Sequence, residues 1–437
     1  MIPTDLQQAY NEHCQIRLTQ YQAAMQAAGR QWLIVDSGGL QTRFLDDTTY
    51  PFRLNPYSAR LAPLQSFPES LMIIGHGEQP ALLLYQPEDY WHAVAGLDCP
   101  AIEQRFTVKT FSQIERLLQE AKAITGGQAV AYLGERPQRF DHAQPNPTLL
   151  LAYLDFQQAV KTGYEITCIR RANQIAAKGH QAVAETCRTT TSELALHLKY
   201  LEAIDASDDT LPYDNIIAGN QHAAILHYTL RNDEPQSMNS LLIDAGATYL
   251  GYCSDISRTY GNQPGLFADL IAQLDTLQTA LCDSIKPGVV YTEYHHQASL
   301  GIAELLVDNN IITCSKSQAK EQQLAGVFFP HGLGHLLGVQ VHDRGGHQAD
   351  TRGTPNPPPE KYPHLRFTRT LATDQVFTIE PGIYFIDQLL KKAHSDGRGK
   401  HFNWALIETL KPFGGIRIED NVRVTEQGSE NLTRPAF

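Results

Sequence analysis

What this 437-residue chain lacks narrows its identity early. No uninterrupted apolar run approaches the ~18 residues that a membrane span needs, so no membrane partner is expected. The amino end has no basic region leading into an apolar stretch and a small-residue cleavage site. Residues 4–29 are instead rich in Gln and charged side chains, and the expected location is cytoplasmic. The seven cysteines (Cys14, Cys99, Cys168, Cys187, Cys253, Cys282, Cys314) are scattered, odd in number and without a CxxC pair. That fits reduced thiols and excludes a disulfide framework or a thiolate metal site. Basic charge is short as well: 35 Lys and Arg face 47 Asp and Glu, a formal net charge of −12, which argues against nucleic acid as a partner.

What is present is ordinary for a soluble globular protein, with 42% hydrophobic and 19% charged residues over a length that accommodates two domains. Strand-like segments at 31–38, 71–75, 81–85 and 129–134, with helix-compatible sequence at 4–29 and 111–123, predict a mixed α/β first domain. Helical sequence over 146–159 and again from Gly163 flanks the expected boundary, giving domains of 1–157 and 158–437. In the second, Thr191-Ser192-Glu193 has a helix-capping pattern, helices are expected over 266–285 and 291–309, and 211–219 and 223–229 read as strands.

Against that background several polar residues are out of place. Asp is depleted in strands, yet Asp244 and Asp255 both lie in residues 240–260, which read as two antiparallel strands with Gly246 and Gly251 between. Taken singly, Asp244 suits the opening of an Ala-Gly turn and Asp255 a cap or a solvent face. Facing each other across a hairpin, they would need a proton or a cation. His331 and His335 have the i,i+4 spacing of a zinc-binding helix, but Gly332 and Gly334 argue against a regular helix and for a turn that lets backbone approach a ligand closely and aims the histidines. His342 follows nearby. His227 interrupts an apolar run, where a histidine is more often a satisfied core residue than a ligand. Glu380 sits in the most apolar strand of the chain, and period-2 spacing puts Arg417 and Glu419 on one face.

Asp244, Asp255, His335, Glu380 and Glu419 together form an oxygen-rich donor set that suits Mn²⁺ or Co²⁺ better than a structural zinc. Four carboxylates match two divalent ions, with a bridging hydroxide as the nucleophile of a hydrolysis.

In this order, the Asp244/Asp255 hairpin, Pro330-His-Gly-Leu-Gly-His335, Ile379-Glu-Pro-Gly382 and Arg417-Ile-Glu-Asp420 resemble the pita-bread metallopeptidase family, which includes methionine aminopeptidase, aminopeptidase P and prolidase. The segments around Asp46, His227 and His342, and Lys411 to Asp420, are similar to bacterial Xaa-Pro dipeptidases, so the resemblance covers nearly the whole chain. It implies an α/β fold in which a smaller, creatinase-like mixed α/β domain precedes a pita-bread catalytic domain. It implies that Asp244 binds one ion, that Asp255 and Glu419 bridge both, and that His335 and Glu380 hold the second, with Glu380 also accepting a proton from the bridging water. His227 and His342 would line the substrate pocket, with Tyr213 as a further pocket residue and His331 shaping the loop. Arg366 would pair the free carboxylate of an Xaa-Pro dipeptide, Arg417 would support Glu419, and Asp47 would reach the site of a neighbouring subunit in a homodimer. Hydrolysis of organophosphorus triesters is expected as a side activity. The rival expectations are an aminopeptidase P acting on longer peptides and a metal-free pita-bread protein.

Overall fold

A computed structural model describes residues 2–187 and 190–437. It divides into two compact units, one of residues 1–165 with 348–355 and the other of 166–347 with 356–437. Among the described residues no helix is long and apolar enough to cross a membrane.

The first unit opens with helix α1 (Gln7–Ala27) and is built on a six-stranded mixed sheet of order β4-β3-β2-β1-β5-β6. Its strands are β1 (Trp32–Asp36), β2 (Leu71–Gly75), β3 (Ala81–Tyr85), β4 (Thr107–Phe111), β5 (Val130–Leu133) and β6 (Gln144–Pro145). Helix α2 (Ile114–Thr125) puts Leu117 and Ala121 onto Ile34, Ile73, Leu83 and Tyr132, which form the core of this layer. Strand β4 escapes sequence reading because its Thr-Val-Lys-Thr-Phe is mostly solvent-facing and lies at the sheet edge, where burial does not impose an apolar run. Helix α3 (Thr148–Gln158) precedes α4 (Gly163–Thr186), and the expected 157/158 boundary falls at the end of α3.

In the second unit α5 (Glu193–Ile204) starts at Ser192, whose side chain accepts from the amide of Ala195 as the capping pattern requires. A three-stranded antiparallel sheet follows, made of β7 (Ile216–Gly219), β8 (Ser240–Asp244) and β11 (Ser257–Gly261). Between β8 and β11 a short hairpin, β9 (Thr248–Tyr249) and β10 (Tyr252–Cys253), reverses at Leu250 and Gly251, both at positive φ as a tight two-residue turn demands. The reversal is therefore there and not at Gly246. Gly246 is needed for a different reason: a Cβ would lie 2.1 Å from the Ser254 carbonyl. Helices α6 (Leu266–Ser284) and α7 (Tyr291–Asp308) lead to β12 (Val376–Ile379), β13 (Gly382–Tyr384), β14 (Gly415–Arg417), β15 (Asp420–Val424) and β16 (Ser429–Asn431), with β12 pairing β15 and β13 pairing β14.

The strand expected over 223–229 does not form. Asn220–Ala224 is a 3-10 turn and the following residues are loop. The amides of Gly219 and Asn232, at either end, donate to the Glu193 carboxylate, so the segment closes on a side chain and not on a neighbouring strand.

Candidate metal centre

The two carboxylates that stand out in the sequence do converge, through register and not through simple opposition. Asp244, the last residue of β8, pairs with Ser257, while Asp255 sits two residues before β11 in an extended stretch. The Asn421 side chain holds that stretch from both sides, accepting from the Asp255 amide at 3.1 Å and donating to its carbonyl. The Tyr213 hydroxyl lies 2.8 Å from Asp244 Oδ1 and 2.6 Å from Asp255 Oδ1, so one proton is shared between two acceptors. Burial, with Asp244 and Asp255 nearby, raises the Tyr213 pKa well above the ordinary phenol value and keeps that proton in place.

The histidine loop reaches the same point from the opposite side. A Cβ on Gly334 would meet the Thr378 carbonyl at 2.1 Å, and one on Gly332 would meet His364 and Leu365 backbone at 2.9 Å, so both glycines serve close approach. The loop is not helical. It runs against β12, with the Thr378 amide donating to the His335 carbonyl and the Glu380 amide to the Leu333 carbonyl. His335 donates Nδ1–H to the Leu336 carbonyl at 3.0 Å, which leaves Nε2 facing Asp255 Oδ2 at 3.3 Å and Glu380 Oε1 at 3.6 Å. Glu380 lies between β12 and β13 and accepts from the Thr378 hydroxyl; Glu419, just before β15, accepts from Ser257 Oγ at 2.7 Å.

Ligand atoms of Asp255, His335 and Glu419 all lie within 4.8 Å of one another, and these residues are 5%, 4% and 2% exposed. Asp244 and Glu380 line the same cavity of about 440 Å³. The electrostatics follow from this crowding. Burial raises the Glu419 carboxyl well above its usual range, and Asp255, Glu380 and Asp244 raise it further. Burial pushes Glu380 up to about 7, against the pull of His335. Burial also raises Asp244 despite Arg417, whereas at Asp255 burial, the largest single influence, is outweighed by His335, Tyr213 and His342 acting together, and the carboxyl is lowered. Carboxylates pressed together this way are relieved by protons or cations, and the oxygen-rich set with one free imidazole nitrogen fits hard or borderline divalent ions.

The remaining expected residues fall into two groups. His227, His331, His342, Arg366 and Arg417 line the cavity, with His227, His342 and Arg366 exposed at its rim. Asp47 is exposed in the first unit. Arg417 bonds Asp244 directly, its Nη2 donating to Oδ2 at 2.7 Å, and it touches Glu419 through Ser257, whose Oγ accepts from Nε at 3.1 Å and donates to the Glu419 carboxylate. Its backbone is tied to β11, where Thr259 Oγ1 bonds both its amide and its carbonyl, and β11 pairs with β8, which ends in Asp244. His331 acquires a definite place. Its Nδ1–H donates to the Gly332 carbonyl, its Nε2 accepts from the Tyr384 hydroxyl at 2.9 Å, and that hydroxyl accepts from Arg417 Nη1. Burial, aided by Arg417, lowers His331 to about 3, so it is neutral as this proton arrangement requires. Tyr384, Ser257, Thr378 and Asn421 escape sequence reading; Tyr384, four residues after Glu380 in a strand-like run, is the one that period-2 counting could have found.

Comparison with known proteins agrees with this geometry. The sequence profile of metallopeptidase family M24 matches residues 167–426, and that of the Xaa-Pro dipeptidase N-terminal domain matches residues 8–156. The Xaa-Pro dipeptidase of Shewanella loihica is 42% identical over 96% of this chain and 95% of its own length. That of Pseudoalteromonas atlantica is 41% identical over 98% of each. Among solved structures, proline aminopeptidase P II from Yersinia pestis superposes with a TM-score of 0.72 at 23% identity, covering 98% of this chain and 97% of that one. Aminopeptidase PepP of Pseudomonas aeruginosa gives 0.74 at 22%, covering 98% and 95%. Those likenesses carry the pita-bread fold, while the sequence matches carry the kinship: the chain belongs to metallopeptidase family M24, in its Xaa-Pro dipeptidase branch.

Proposed function

We propose that this protein hydrolyses the Xaa-Pro bond of dipeptides at a dinuclear centre held by Asp244, Asp255, His335, Glu380 and Glu419. The observation that carries the reading is the convergence of four carboxylates and one imidazole in a single cavity that the exposed Arg366, His227 and His342 also line. Its full-length relatives bearing the name Xaa-Pro dipeptidase support the substrate class. Two divalent ions, Mn²⁺ in preference to Co²⁺, when bound supply Lewis acidity and activate water.

The chain's own residues do the rest. Asp255 and Glu419 would contribute to both ions, Asp244 to one, and His335 with Glu380 to the other. Glu380 accepts the proton of the attacking water, and His227 and His342 hydrogen-bond the scissile carbonyl as charge develops on its oxygen. An Xaa-Pro bond is a tertiary amide with no N–H to align, so the substrate is held by its ends. Arg366 pairs the free carboxylate with its guanidinium fork, and Asp47 pairs the free amine in the site of a neighbouring subunit, which makes a homodimer the working assembly. The reaction takes place in the cytoplasm. A tetrahedral phosphoryl centre resembles the tetrahedral intermediate of amide hydrolysis, so organophosphorus triesters are substrates of a side activity.

The test is hydrolysis of Ala-Pro, Ala-Ala and Ala-Pro-Ala by chelated protein and by protein reloaded with Mn²⁺. Metal-dependent cleavage restricted to Ala-Pro is expected. Preference for the tripeptide would replace the dipeptidase reading with that of an aminopeptidase P, and protein that takes up no metal would overturn the centre itself.

A further inference from the structure

The loop carrying His227 is tied down by one side chain that lies outside the cavity. Glu193, the first residue of α5, is 0% exposed, and its carboxylate takes four hydrogen bonds from a single stretch of chain. Oε1 accepts from the Gly219 amide at 2.8 Å and His222 Nδ1 at 2.7 Å. Oε2 accepts from the Tyr228 hydroxyl and the Asn232 amide, each at 2.7 Å. His222 and Tyr228 stack on each other at 4.5 Å between ring centroids, so the four donors form one closed knot. Between Gly219 and Asn232 the chain makes no strand, and its inner residues Leu226 and His227 form part of the cavity wall. A buried carboxylate is costly unless donors satisfy it, and here the α5 amino terminus adds a favourable dipole.

We propose that Glu193 is a positioning residue, which fixes the 219–232 loop so that the His227 imidazole stands at the cavity rim, facing the substrate. This rests on the role given to His227 above. All four partners are donors, so the site needs an acceptor at both oxygens. A Gln there must aim its NH₂ at a backbone amide in either orientation, at Gly219 or at Asn232, and cannot substitute.

The experiment is a double-mutant cycle on kcat/KM for Ala-Pro with the Mn²⁺-loaded full chain, joining Glu193→Gln to His227→Ala, with amide hydrogen exchange of residues 219–232 measured in parallel. Glu193→Gln is expected to lower kcat/KM about tenfold in the parent, to change it less than about twofold in the His227→Ala background, and to speed exchange within the loop alone. Tyr228→Phe removes one donor and keeps the carboxylate; it is expected to give a smaller loss that likewise vanishes in the His227→Ala background, and it serves if Glu193→Gln does not fold. Equal losses with and without His227 would overturn the assignment of Glu193 alone. An unchanged kcat/KM in His227→Ala by itself would overturn the role of His227 and, with it, that of Glu193.

Discussion

At the scale of single residues, the centre depends on groups that touch its carboxylates without offering them a charge. Tyr213 has one proton for two carboxylate oxygens, and removing it leaves Asp244 and Asp255 with less to hold them in place. Tyr213→Phe is expected to weaken Mn²⁺ binding about 10- to 100-fold, as lost outer hydrogen bonds commonly do, in a calorimetric titration of chelated protein; unchanged affinity would refute this. Arg366 acts on the other partner. If it pairs the substrate carboxylate, Arg366→Met raises KM for Ala-Pro about 10- to 100-fold, the worth of a charge-assisted hydrogen bond, and leaves KM for the Ala-Pro amide unchanged. The residue types of the centre were legible because Asp, Glu and His in apolar surroundings are anomalies in any sequence. Tyr384 and Ser257 were not, since a tyrosine or serine near a strand is unremarkable until its partner is known.

At the scale of elements, two glycines in the histidine loop bring it onto β12. The Gly334 position has Thr378 carbonyl oxygen where a Cβ would be, and that carbonyl belongs to the strand leading to Glu380. Gly334→Ala must therefore part the loop from the strand and carry His335 away from Asp255 and Glu380. The expected cost is about 1–3 kcal/mol of stability with loss of metal retention through gel filtration, and full retention would contradict it. A close approach was readable from the glycine spacing, but as one to a ligand; that the neighbour is the backbone of β12 was not. The failure of the 223–229 strand was not, because the residues that flank the segment and the Tyr228 hydroxyl are held by the side chain of Glu193, 39 residues from Asn232 along the chain.

For the whole molecule, buried histidines set the acid limit. Burial lowers His13 to about 4 and His180 and His295 to about 3. Geometry agrees at His295, whose Nδ1 accepts the Leu333 amide and so carries no proton. In the unfolded chain each titrates near its ordinary value of about 6.5, so below that pH the unfolded state binds more protons and stability falls, by up to about 1.4 kcal/mol per pH unit for each group. Glu165 extends the effect: burial opposes its charge, but Arg17 and His13 hold it down to about 2, and its contribution is lost as pH falls from the ordinary carboxylate range toward that value. Since His13 lies in the first unit and His180 and His295 in the second, thermal unfolding of both is expected to shift downward by several degrees between pH 7 and pH 5. A flat transition temperature over that interval would refute the assignment.

The sequence by itself made legible the residue types of the candidate centre: which side chains could bind ions, that oxygen donors dominate among them, and that the glycines of the histidine loop exclude a regular helix. Those follow from local pattern and side-chain type. Only the tertiary structure decided who holds whom. Arg417 bonds Asp244, 173 residues away, directly and the nearby Glu419 only through Ser257, because Thr259 fixes the Arg417 backbone against β11, the strand paired with β8, and no local period records that placement.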